Sequence, residues 1–162
     1  MKDNFIQLSE SDTLKLKIKD VNGNYTGEML EFDLEDIDLL LRYQDMIEKD
    51  KKNLEWLRNQ TLIIDRKQDV KGKKLLSKNE EDKLKALKEY FNREIECFNM
   101  FLGENGVQKL LNGRRIGWNT LEEINVIIKE QIAPKLDVKM ESISDKIKKK
   151  YSNKINDSEV LK

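Results

Sequence analysis

From Leu34 to Asp65 the chain runs for about thirty residues without a proline or a glycine, and its apolar side chains return every three or four positions. Leu34, Ile37, Leu40, Leu41, Ile47, Leu54, Leu57, Thr61 and Ile64 fall near that spacing, the period of a helix with one apolar side. A helix of this length spans about 45 Å, more than a compact domain of this size needs. An antiparallel partner of matching length is therefore expected. Ser77 with Glu80 three residues later forms a capping-box signature, and Leu84, Leu87, Phe91, Ile95, Phe98 and Leu102 follow as the second stripe, ending at Gly103. The single proline of the chain, Pro134, agrees with a fold of long helices.

Other elements are shorter. Leu14, Leu16 and Ile18 alternate with Lys15, Lys17 and Lys19, the period of a half-buried strand. Asn22-Gly23 supplies a tight-turn signal with positive φ at both positions, and a second strand follows to Phe32, with Gly27 weakening it or marking a bulge. Asp33 is the expected cap of the first long helix, with Asp36 in its first turn. Gly103, Gly106 and Gly113 punctuate a short apolar piece, Val107 to Leu111. Asn119 or Thr120 caps a third helix ending near Pro134, and a fourth carries Met140, Ile143, Ile147 and Tyr151. The predicted class is mainly α with a small N-terminal β-hairpin (α+β). A long antiparallel helical hairpin is joined by two shorter C-terminal helices. The expected layout is one domain over residues 1–152, with a hairpin at 13–32, helices near 34–65, 78–102, 119–134 and 137–151, and a disordered tail at 153–162.

The chemistry available is narrow. The chain of 162 residues has no histidine and one cysteine, Cys97. Histidine is the side chain suited to proton transfer near neutral pH and the commonest metal ligand. Cys97 lies in an apolar stripe and is expected to be a buried small hydrophobe. Glu94 and Glu96, two apart, cannot share a helix face, and Glu80, Glu81 and Asp82 are first-turn partners of a helix dipole. No catalytic residue, metal ligand or cofactor is expected, and no membrane span. The lone cysteine fits a reducing cytoplasm.

Charge and aromatic placement point to protein contacts. Net charge is zero with 38% charged residues. Acidic residues dominate from Glu28 to Asp50, basic ones from Arg66 to Lys78 and again from Lys146 to Lys150. Such blocks orient a partner or a second copy of the chain, or form solvated faces. Tyr43 and Trp56 lie at the edge of the first stripe or off it. Arg114, Arg115 and Trp118 sit in the loop between the short apolar piece and the third helix. These five are the candidate partner contacts, since arginine and tryptophan are typical of interface hot spots. The alternative for the loop is a helix connection whose Trp118 covers the core edge. Lys71, Lys73 and Lys74 are candidate contacts to phosphates or an acidic partner. The basic segments lack interleaved aromatics and the chain is neutral overall, which argues against a dedicated nucleic-acid protein.

The segment Phe98-Asn99-Met100-Phe101-Leu102-Gly103-Glu104-Asn105-Gly106-Val107-Gln108-Lys109-Leu110-Leu111-Asn112-Gly113 resembles a pattern in small tail-module proteins of long-tailed phages from low-GC Gram-positive bacteria. There an aromatic helix end meets Phe-Leu/Phe-Gly-Glu-x-Gly, followed by a short apolar turn and a glycine. Those proteins also open with a short β-hairpin ending in Phe-Asp, here Phe32-Asp33, before long charged helices. The chain is similar to tail assembly chaperones, over roughly Ile18 to Tyr151. Its basic stretch Arg66 to Lys78 and the length of its first two helices exceed the minimal pattern. The resemblance implies a non-catalytic role. The protein would bind the tape measure protein or another tail protein through helix-in-groove contacts, and could self-associate, in the host cytoplasm. Two other readings stand beside it: an accessory factor that inhibits a host complex through its acidic first-helix start, and a nucleic-acid accessory protein using the loop 66–78.

Overall fold

A computed structural model describes residues 3–160, the side chains of 153–160 excepted. It is mainly helical with one small sheet. Two antiparallel strands, β1 (Thr13–Lys19) and β2 (Tyr25–Asp33), lead into α1 (Ile37–Asp65) and α2 (Lys78–Leu102), then a short α3 (Gly106–Leu111). Next come α4 (Trp118–Ile127), a π turn (Ile128–Ile132) and α5 (Ala133–Val160).

The hairpin buries Ile18, Leu30 and Phe32 and half-buries Leu14 and Leu16, as alternation requires. Its turn is longer than Asn-Gly alone implies. Asp20 organises it, its Oδ1 accepting from the N–H groups of Asn22 and Asn24 while Gly23, the turn's one residue with positive φ, donates to its carbonyl. Gly27 does mark a bulge. The pairing slips between Lys17 and Lys19, Gly27 takes φ +87°, and the Thr26 hydroxyl donates to the Ile18 carbonyl at 3.1 Å across the gap.

The first long helix starts later than expected. Asp33 ends β2, its carboxylate held low by the Ser11 hydroxyl and the Glu35 N–H. Asp36 is the cap and accepts from the Asp38 N–H. The stripe is also rotated. Leu39, Met46, Asn53 and Ile64 are buried, with Tyr43 and Leu57 packed beside them, whereas Ile37, Leu41 and Leu54 are 63%, 56% and 51% exposed. The Ser77–Glu80 capping box of α2 forms as expected.

At the end of α2 the chain reverses tightly. A Cβ on Gly106 would stand 2.5 Å from the Leu102 Cβ, so only glycine lets α3 close onto α2. The Asn99 side chain spans the corner, accepting from the Val107 N–H at 2.8 Å and donating to Gln108 Oε1 at 3.0 Å. Asn105 and Asn112, both left-handed, bracket the short helix.

The two C-terminal helices expected from sequence are one continuous rod. Gly117 is the cap of α4, rather than Asn119 or Thr120, and the Thr120 hydroxyl bonds back to both its N–H and its carbonyl. Pro134 ends nothing. The preceding turn is wide, with the Ala133 N–H donating to the Ile128 carbonyl five residues back. This loosened ladder makes room for a ring with no N–H to give. The wide turn also keeps one line of side chains inward. Ile124, Ile128, Ile132 and Leu136 are all buried at four-residue spacing. In a regular α-helix that line would drift by about 40° a step. An extra residue in one turn takes the drift back. The helix then continues to Val160, so residues 153–160 of the expected disordered tail have helical backbone, and 161–162 lie outside the described residues.

The densest packing lies at the base, where β2, the start of α1, the end of α2 and α3 meet. Phe101 stacks on Phe32 with ring centroids 5.4 Å apart and tilts against Tyr43 at 5.3 Å. Cys97, Phe98, Val107 and Ile132 complete a layer with almost no exposed surface.

Candidate functional site

A cleft of about 450 Å³ opens at the base of the bundle, between β1, the end of α3 and α4. Ile18, Leu30 and Ile124 form its buried floor, and Leu16, Leu110, Leu111 and Ile127 its half-buried walls. Lys17, Lys19, Asp20, Arg114, Glu123 and Gln131 stand around the rim. Each wall has a local cause. Strand alternation turns Leu16 and Ile18 inward while Lys17 and Lys19 point out. The Gly106 corner brings Leu110 and Leu111 back over the hairpin, and the π turn adjoins the cleft through Ile127 and Gln131. The result is an apolar depression ringed by both signs of charge. It suits one or two apolar side chains presented by another polypeptide.

The candidate residues from sequence are scattered. Arg114 lies on the cleft rim, and Arg115, beside it in the chain, is exposed. Trp118 is 45% exposed. Its ring lies 6.0 Å from Tyr90 and 6.4 Å from Phe91, and its Nε1 donates to Glu122 Oε1 at 2.8 Å, so it covers the side of α2. Tyr43 packs against Phe101 in the base core. Trp56 is half-buried against the core cluster, with the Arg93 guanidinium 4.1 Å from its ring centre. Tyr43 and Trp56 are thus both engaged within the chain. Lys71, Lys73 and Lys74 are exposed on the loop at the far end of α1 and α2, about 40 Å of helix from the base. That loop is held by the Asp69 carboxylate, which accepts from the Asn79 N–H at 2.9 Å, and by Asn79 Nδ2 donating to the Lys67 carbonyl at 3.0 Å.

A second polar feature escaped the sequence reading. Midway along the hairpin, Glu94 of α2 is wholly buried beside Asp50 and Asn53 of α1. Among the described residues neither carboxyl oxygen of Glu94 nor the Asn53 amide nitrogen has a well-aligned hydrogen-bond partner, although the Asp50 carboxyl and the Asn53 amide stand close enough to act on the Glu94 proton. Burial, then the Asp50 carboxyl, pushes Glu94 up to about 8, so it keeps its proton at neutral pH. Burial and then Glu94 push the Cys97 thiol up to about 12, and the same two causes raise Tyr90. Cys97 Sγ donates to the Met46 carbonyl at 3.3 Å. A thiol so protonated and enclosed is inert. The signal for this seam was Asp50 and Asn53 on the side of α1 that carries Met46 and Leu57.

Among the described residues no cluster of three Asp, Glu or Cys side chains is placed to hold a metal ion. No described helix is long and apolar enough to cross a membrane. Comparison with family models, curated proteins and solved structures gave no match.

Proposed function

We propose that this chain is a non-catalytic binding factor of the tail-assembly-chaperone type, which holds an apolar helical segment of a tape measure or other tail protein in the host cytoplasm. The observation that carries this reading is the basal cleft, with its apolar floor of Ile18, Leu30 and Ile124 and its mixed-charge rim. A long apolar helical client aggregates when left bare, so a helper must cover some of its ridges and later let go. A shallow depression with charges at its edge favours a fast, reversible encounter over permanent capture. The segment that resembles the tail-module pattern, Phe98 to Gly113, builds the corner that places Leu110 and Leu111 in the cleft wall.

The test is co-expression with a long, helical tape measure polypeptide. Soluble client that co-purifies with the chain is the expected result. Ile127→Lys and Arg114→Glu should abolish both while leaving the far-UV circular dichroism and the melting temperature unchanged. Absence of rescue refutes the chaperone reading, and rescue that survives both substitutions refutes the cleft as its seat.

One observation favours a second reading, a nucleic-acid accessory role. Lys71, Lys73 and Lys74 are all exposed on one loop that Asp69 and Asn79 tie down. Such a role requires a salt-dependent mobility shift that disappears when the three are changed to alanine.

A further inference from the structure

We propose that the Met140–Ser152 stretch of α5 docks on the outer face of α1 in a second copy of this chain, and that the exchange is mutual, giving a two-fold symmetric dimer. The docking element is a stripe that outruns its core. Leu136 is 2% exposed, yet Met140, Ile147 and Tyr151, which share its side of the helix, are 50%, 62% and 68% exposed. From Asp145 to Ser152 every residue is exposed, so this stretch of helix has no packing partner among the described residues. A lone amphipathic helix of that length is marginal in water and gains most of its stability from a packed face. By helical spacing Lys146 and Lys150 flank the stripe on one side and Lys148 on the other.

The receiving surface is the side of α1 that faces away from α2. Ile37, Leu41, Asp45 and Glu48 align there with Asp38 at the edge, all exposed. It presents apolar side chains framed by carboxylates, the complement of apolar side chains framed by lysines. Charge also decides between partners. Pairing α5 with α5 side by side in the same direction would crowd the lysines of both copies, whereas pairing it with α1 neutralises them. Within one chain Lys139 bonds Glu35 just before α1, fixing the root of the docking helix beside the surface its counterpart would use. Because each copy both gives its α5 and receives its partner's on α1, the contact is isologous and closed, and it stops at two copies. It lies apart from the basal cleft and does not depend on the client reading.

Sedimentation velocity and light scattering on the full chain test this. A dimer is expected at low salt, weakened about tenfold or more at high salt. Ile147→Asp should give a monomer that still unfolds cooperatively, with a melting temperature that no longer rises with protein concentration. Lys146→Glu with Lys150→Glu should weaken the dimer about tenfold, and adding Asp45→Lys with Glu48→Lys should restore it. A chain that stays monomeric at every concentration and salt overturns the proposal. So does a dimer indifferent to the lysine reversals, or one that the compensating reversals fail to restore.

Discussion

The same two helices are packed in two different ways along their length. At the base, α1 and α2 meet through Tyr43, Phe98 and Phe101, close against Phe32 of the hairpin, and among the described residues no buried side-chain oxygen or nitrogen there lacks a hydrogen-bond partner. Halfway to the tip they meet through Asp50, Asn53 and Glu94, and three buried polar atoms have no well-aligned hydrogen-bond partner among the described residues. The difference separates what holds this fold from what it tolerates. Apolar layers of many residues carry the stability, while the seam sits between helices already fixed at one end by that core and at the other by the capped loop. A buried carboxyl costs least when it keeps its proton, which is the state burial imposes on Glu94.

Breaking the base should cause the largest loss. Phe101→Ala removes a side chain 2% exposed that touches two other aromatic rings, and is expected to cost about 3 to 5 kcal/mol in urea unfolding. A cost below about 1 kcal/mol would mean that the base is not the stable end.

The seam is probed by pH. Below about 4.5, the ordinary value of the group, Glu94 is protonated folded or unfolded and adds no pH dependence. As pH rises towards about 8 the unfolded chain releases this proton while the folded chain keeps it. Stability therefore falls across that window and levels off above it. Glu94→Gln should remove this fall, matching the parent chain at pH 4 and exceeding it by about 4 to 5 kcal/mol at pH 9. Parallel stability curves for the two proteins would show that Glu94 is ionised or solvated in the fold.

The smallest effect belongs to the tip. Replacing Lys71, Lys73 and Lys74 with alanine should change unfolding free energy by less than about 0.5 kcal/mol, because all three are exposed and none forms an ion pair among the described residues. A larger loss would tie the loop to the stability of the hairpin.

What the sequence disclosed followed from local signals. Alternation gave β1, the Ser77–Glu80 box gave the start of α2, and unbroken helical spacing gave the long hairpin. The inward face of α1 was obscured for a physical reason. Its core line passes through Asp50 and Asn53, while Ile37, Leu41 and Leu54 carry apolar surface outside, so hydrophobicity alone put the stripe out of phase. Tyr43 was consequently assigned to the edge rather than to the core. Pro134 was taken as a stop because the bonding five residues back that accommodates it leaves no trace in composition. Of the candidate site, Arg114 alone was placed on the cleft. The walls come from β1, α3 and α4, which only the folded chain brings together.

The widened turn at Ile128–Ile132 sets the azimuth of everything beyond it. Deleting a single residue there would swing the distal rod about its long axis by roughly 100°, turning its greasy edge to a new compass bearing without touching that edge's composition. Small insertions or losses at this point are thus a steering device. They can re-aim the final rod of the molecule while leaving every other helix where it stands.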